Sequence, residues 1–406
     1  MKPRRAVTYS LYAIAVALIA VAAAAMPHFR HRAQPPIVSP PPPPPIVTLP
    51  PTPPEPPPVQ TVKEEQPEVD IVFVLDTTSS MSELLSGAKR KIWSLVNYVS
   101  SAQPQPKVRI GLVAFRDLGD SYVTRFYDLS DDVDGVFEHL RHFRAEGGGD
   151  TPEHVARGLS DAVNKPSWST GPKVAKIIYV IGDAPGHTDY QDGFDYQAIA
   201  KKAASLGIHV NAIRCGTDAD AEHYFRRIAR LGQGQYSSVD ETGGVADETT
   251  PFDDKLAKLH RRLMGTTVAY GSGAAMMRGK IATAEAGPAA TIADRVTFMA
   301  KKKLAVSGDG DLIGAIGSNG KGAGYVNSVP AADLPAPLAA MAPAAREAFV
   351  AEKMKEREAV SAEINAIASE RSAYLKRAPK SPGKAGFDEK VRDSLKDETA
   401  AMGLKF

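Results

Sequence analysis

The chain has 406 residues, among them 32 prolines and 33 glycines, and a formal net charge of +2. Such a length suggests two or three domains, with part of the chain spent on linkers. The near-balanced charge, with no basic stretch interleaved with aromatics, argues against a nucleic-acid partner. A single cysteine, Cys215, excludes an intrachain disulfide framework and a thiolate-rich metal site.

At the amino terminus Lys2, Arg4 and Arg5 precede an apolar run from Tyr9 to Met26, broken only by Ser10. At about 1.5 Å per residue this run almost crosses a hydrocarbon core of roughly 30 Å. Residues 1–30 therefore read as a signal anchor, or as a signal peptide cleaved near the small residues Ala22 to Ala25. The expected location is a single-pass protein of the inner membrane with its bulk in the periplasm, or a secreted protein if the segment is cleaved. Residues 31–66 follow as a linker dominated by proline, including the unbroken run Pro40 to Pro45. Proline fixes φ and lacks an N–H, so a polyproline-II spacer is expected.

From residue 67 to residue 265 strand and helix patterns alternate, which predicts an α/β domain with a mostly parallel, doubly wound sheet. Val69 to Leu75 is almost wholly apolar, the signature of a strand buried on both faces. It ends at Asp76-Thr77-Thr78-Ser79-Ser80, and an amphipathic helix follows, with Leu85, Ala88, Ile92, Leu95 and Val99 at steps of three or four. Further strands are read at Lys107–Phe115, Tyr122–Tyr127 (an edge strand), Val174–Ile181 and Ile208–Ile213. Helices are read at Val133–Phe143, His154–Val163, Tyr196–Leu206, Ala221–Leu231 and Asp253–Leu263. Cys215 follows the Ile208–Ile213 run as a semi-buried structural thiol.

Three elbows of this domain hold oxygen ligands. Asp76, Thr78 and Ser80 follow the first strand. The glycine turn Gly147-Gly148-Gly149-Asp150 leads to Thr151, and Asp183 follows the strand ending at Ile181. Open α/β sheets bind their ligands at such strand ends, and an all-oxygen cluster suits Mg²⁺, with Mn²⁺ or Ca²⁺ as alternatives. Asp117 and Asp120 read mainly as solvated loop charges, with shaping of the site's rim as the alternative, His187 as a surface loop histidine that could touch a ligand, and Asp150 as a cap of the next helix.

These residues resemble the metal-ion-dependent adhesion site of von Willebrand factor type A domains, in the pattern Asp-x-Thr-x-Ser, then threonine, then aspartate. The resemblance covers about half of the chain. It implies that Thr78, Ser80 and Thr151 contact the ion and that Asp76 and Asp183 act through water. It also implies that a protein partner completes the shell with an Asp or Glu.

Residues 266–342 read as a Gly/Ala-rich connecting region. Gly314 to Gly322 fails as a phosphate loop, since Ala315 and Gly322 stand at required positions. Residues 343–406 read as a helical carboxyl-terminal region, with a long helix from Pro343 through Arg377 and a short one from Phe387 to Leu395. Arg357 and Arg371 interrupt the apolar stripe of the long helix.

The expectation is a membrane-anchored, extracytoplasmic binding protein, not an enzyme. The alternatives are an accessory subunit of a chelatase/MoxR-type AAA ATPase and, last, a metal-dependent hydrolase. No catalytic arrangement of nucleophile and base is evident beside the proposed ligands.

Overall fold

A computed structural model describes residues 66–149, 151–240, 249–284, 287–306, 309–377 and 386–406. The expected amino-terminal anchor, the proline spacer and the cap at Asp150 lie outside these residues. Among the described residues no helix is long and apolar enough to cross a membrane.

Strand β1 (Glu68–Asp76) is buried along its length after Glu68. It pairs in parallel with β2 (Lys107–Phe115) on one side and β4 (Val174–Gly182) on the other. β5 (Ile208–Cys215) and β6 (Gln233–Val239) continue the parallel sheet, and β3 (Thr124–Ser130) closes the opposite edge antiparallel to β2. The order β3-β2-β1-β4-β5-β6 reverses between β1 and β4, which opens a crevice at their carboxyl ends. The buried central strands are apolar because helices cover both faces. Asp70, the one polar residue inside the β1 run, is neutralised by Arg109, whose Nε and Nη2 donate to it at 2.9 and 2.7 Å. Strand β6 has no counterpart among the sequence-read strands: Gln-Gly-Gln-Tyr-Ser-Ser-Val is too polar to stand out, and it lies at an edge.

Alternation along β1 sends Val69, Ile71, Phe73 and Leu75 to one face and Val72 and Val74 to the other. The second face is covered by α3 (Val155–Asn164), α4 (Tyr196–Ser205) and α5 (Ala219–Leu231). The first face is covered by α1 (Ser82–Val99) and α2 (Val133–His142), and by helices from far along the chain.

Beyond residue 250 the helices are α6 (Asp253–Met264), α7 (Ala274–Thr283), α8 (Ala289–Lys301), α9 (Leu312–Ser318), α10 (Ala336–Ala339), α11 (Pro343–Arg377) and α12 (Phe387–Ala400). Alanine-rich sequence favours helix, so the stretch expected as a connector carries four of them. Val296 and Phe298 of α8 and Val391 and Leu395 of α12 join the same apolar cluster as the β1 face. Phe387 packs 6.3 Å from Phe73, which stacks on Tyr179 at 5.5 Å. The buried Tyr179 hydroxyl lies 2.7 Å from Ser394 Oγ. Sheet and carboxyl-terminal helices thus belong to one compact unit.

The two arginines that break the α11 stripe are buried and paired. Arg357 donates to Asp311 at 2.6 Å and to Thr266 at 2.9 Å. Arg371 donates to Asp253 and Asp294, both at 2.7 Å.

Candidate metal centre

Strand β1 stops because its last residue turns back on the backbone that follows. Asp76 Oδ1 accepts from Thr78 N at 2.8 Å and from Thr78 Oγ1 at 2.6 Å, the short-range turn typical of aspartate. Thr78 Oγ1 lies 3.3 Å from Ser80 Oγ. Ser79 ties this elbow to the glycine loop: its N–H and hydroxyl donate to Gly147 O at 3.2 and 2.9 Å. Gly148 lies so close to the elbow that a Cβ there would sit 3.3 Å from Thr78 Cβ and from Glu153 Oε1. On the other side β4 is in register with β1, Leu75 opposite Ile181, which brings Gly182 beside Asp76. A Cβ on Gly182 would stand 3.3 Å from Asp76 Oδ2.

A depression of about 700 Å³ opens over these loops. Thr78, Ser80, Thr151 and Asp183 line it, so four of the five sequence-read ligands share one surface. The fifth, Asp76, is 1% exposed and reaches that surface through its hydrogen bond to Thr78. Cys215 is buried at the end of β5 and also lines the depression. Burial pushes its thiol well above the ordinary value, with Asp183 and Asp76 adding to the effect.

Glu153 went unread as a site residue, yet it lines the same depression at 3% exposure. Pairing across the loops holds it there: its N–H donates to Pro185 O, and its carbonyl accepts from His187 N, both at 3.0 Å. No local sequence signal marks it, because its burial depends on a loop distant in the chain. Asp117 and Asp120, expected mainly as solvated loop charges, are instead tied down by hydrogen bonds. Asp120 accepts from Gly148 N at 3.2 Å, and Asp117, 5% exposed, accepts from the Tyr190 hydroxyl at 2.8 Å. His187 stacks on Tyr190 at 4.0 Å and hydrogen-bonds Asp189.

The electrostatics of this cluster are unfavourable as it stands. Burial raises the Asp76 carboxyl from 3.8 to about 7; its bonds to Thr78 oppose the rise and Asp183 reinforces it. Burial also lifts Glu153 from 4.5 to about 9, helped by Asp76, Asp117, Asp120 and Asp183. Asp76 Oδ2, Glu153 Oε2 and Asp183 Oδ1 are buried without a hydrogen-bond partner. Buried polar atoms of this kind call for an explanation such as an ion. The residues therefore fit a hard divalent cation, with hydroxyls as direct ligands and carboxylates for charge. Among the described residues no group of three or more His, Cys, Asp or Glu has the geometry of a metal cage, so the hydroxyls are essential to this reading.

The profile of the von Willebrand factor A domain matches residues 70–249. The chain carries a von Willebrand factor A domain. A similar curated protein, an ariadne-like RING finger protein of Acanthamoeba polyphaga mimivirus, is 30% identical over 127 residues. That match covers 30% of this chain and 12% of the mimivirus protein. Among solved structures, the conserved hypothetical protein BatB from Bacteroides thetaiotaomicron is 21% identical, with a TM-score of 0.31. The match covers 43% of this chain and 90% of BatB. Proximal thread matrix protein 1 from the mussel byssus, solved with a zinc-occupied MIDAS motif, is 16% identical with a TM-score of 0.34. That match covers 43% of this chain and 42% of the byssus protein. The sequence-read ligand positions of this chain lie at the carboxyl ends of β1 and β4 and in the loop before α3.

Proposed function

We propose that this protein is a membrane-anchored, extracytoplasmic binding protein whose von Willebrand factor A domain docks a protein partner through Mg²⁺. The observation that carries the reading is the set of buried, unpartnered carboxylate oxygens on Asp76, Glu153 and Asp183 beside the hydroxyls of Thr78, Ser80 and Thr151. Thr78, Ser80 and Thr151 would hold the ion, and the carboxylates would balance its charge. A cation held largely by neutral hydroxyls keeps much of its charge, so an exposed Asp or Glu of a partner is the natural completing ligand. Domains of this family serve mostly as non-enzymatic interaction modules.

The apolar run Tyr9–Met26 and the proline tract support the anchored, extracytoplasmic part of the reading. The decisive measurement is affinity for a partner captured from membranes, with and without EDTA. Chelation should weaken binding by about 2–5 kcal/mol, the cost of breaking a desolvated charge pair. Equal affinity in both conditions would overturn the metal-mediated contact.

A further inference from the structure

Arg116 is 3% exposed, directly after β2, and each of its hydrogen bonds goes to a neutral oxygen. Nε donates to Thr77 O at 3.1 Å, Nη1 to Ser121 Oγ at 2.9 Å and Nη2 to Arg144 O at 2.8 Å. These acceptors belong to three loops: the elbow after β1, the β2–β3 loop, and the stretch entering the glycine turn. The nearest carboxylate contact, Glu146 at 3.9 Å, is mostly exposed. This differs from Arg357 and Arg371, which sit directly on buried carboxylates.

The peptide that Arg116 grips lies between Asp76 and Thr78. Thr77 is fully buried and every polar atom of it is held. Its N–H and its hydroxyl both donate to Phe115 O at 3.0 Å. The hydroxyl also lies 2.7 Å from the Tyr122 hydroxyl, and the carbonyl accepts from Glu146 N at 3.1 Å as well as from Arg116. Tyr122 is itself clasped between two guanidiniums, Arg116 at 4.3 Å and Arg125 at 4.1 Å from its ring centre. Neither Arg116 nor Tyr122 lines the depression, yet both hold Thr77, the residue between Asp76 and Thr78.

We propose that Arg116 and Tyr122 are positioning residues that set the metal affinity of the elbow by clamping Thr77. The inference rests on the metal reading of the preceding subsection. Removing groups that orient first ligands commonly costs about 10- to 100-fold in metal affinity. Lysine at position 116 would keep the charge and lose the fork that spans three loops.

The test is Mn²⁺ affinity of the full chain, wild type against Tyr122→Phe and Arg116→Lys, by calorimetry well below the melting temperature. A loss of about 10-fold or more is expected in both variants, with a smaller Mn²⁺-induced rise in Tm. Tyr122→Phe should keep a metal-free Tm close to wild type, which separates positioning from a purely structural role. Wild-type Mn²⁺ affinity in a folded Tyr122→Phe variant would overturn the clamp, and that variant decides the matter if Arg116→Lys does not fold. If the wild type itself binds no Mn²⁺, the metal reading falls and this inference with it.

Discussion

The carboxyl-terminal helical layer and the carboxyl edge of the sheet both bury carboxylates, and they do so in opposite ways. In the carboxyl-terminal helical layer, Asp311 receives Arg357 at 2.6 Å and Asp253 receives Arg371 at 2.7 Å. In the first turn of α2, Asp134 likewise receives Arg295 at 2.8 Å. At the carboxyl edge of the sheet, Asp76, Glu153 and Asp183 crowd together, each with one buried oxygen that receives nothing, and burial raises the Asp76 and Glu153 carboxyls. A buried charge that carries its own counter-ion is architecture. A buried carboxylate without one is what a bound cation would neutralise, and this is why the sheet edge and not the helical layer is the candidate site.

The largest effect should come from breaking the paired region. Arg357→Ala leaves Asp311 buried and uncompensated, and such a loss costs about 3–5 kcal/mol. Denaturant unfolding should show the same loss with Mg²⁺ and with EDTA, because this pair is remote from the elbow in the chain and has its own counter-ion. A loss that vanished on adding Mg²⁺ would collapse the distinction between the two regions.

The unpaired region should answer to pH in the absence of metal. Raised carboxyls stabilise the fold while protonated, so their contribution is complete below about pH 4. It is lost as pH rises through about 7 for Asp76 and about 9 for Glu153. In EDTA the protein should therefore lose on the order of a few kcal/mol across that window, and saturating Mg²⁺ should restore most of it. The check is unfolding free energy against pH in both conditions. A flat EDTA profile would mean that these carboxylates already have partners.

The sequence made one of these regions much easier to read than the other. Asp76, Thr78, Ser80 and Asp183 stand out because an apolar run buried on both faces ends abruptly at each elbow. The sheet topology then brings those strand ends together, since β1 and β4 are neighbours at the point where the sheet reverses. Glu153 could not be read this way, because its burial comes from pairing with the loop at Gly186. Arg116 looks like an ordinary loop cation until Thr77 and Arg144 are seen to meet over it. In the helical layer Arg357 and Arg371 look like breaks in an apolar stripe; only their carboxylate partners, supplied by other elements, explain their burial. Edge strand β6 was illegible for a simpler reason, its polar side chains.

The smallest effect on stability should come from the change that says most about the site. Thr78→Ala combined with Ser80→Ala removes two hydroxyls at the elbow without changing charge. Ser80 is exposed, and Thr78 gives up one short bond to Asp76, so the metal-free cost should be about 1–2 kcal/mol. Hydroxyls are the proposed direct ligands, and the remaining carboxylates do not form a cage by themselves. The double variant should therefore melt at the same temperature with Mg²⁺ and with EDTA, and its pH profile should stay steep in both. A full metal-induced rise in Tm would show that the cation is held elsewhere, and the contrast between paired and unpaired carboxylates would lose its functional meaning.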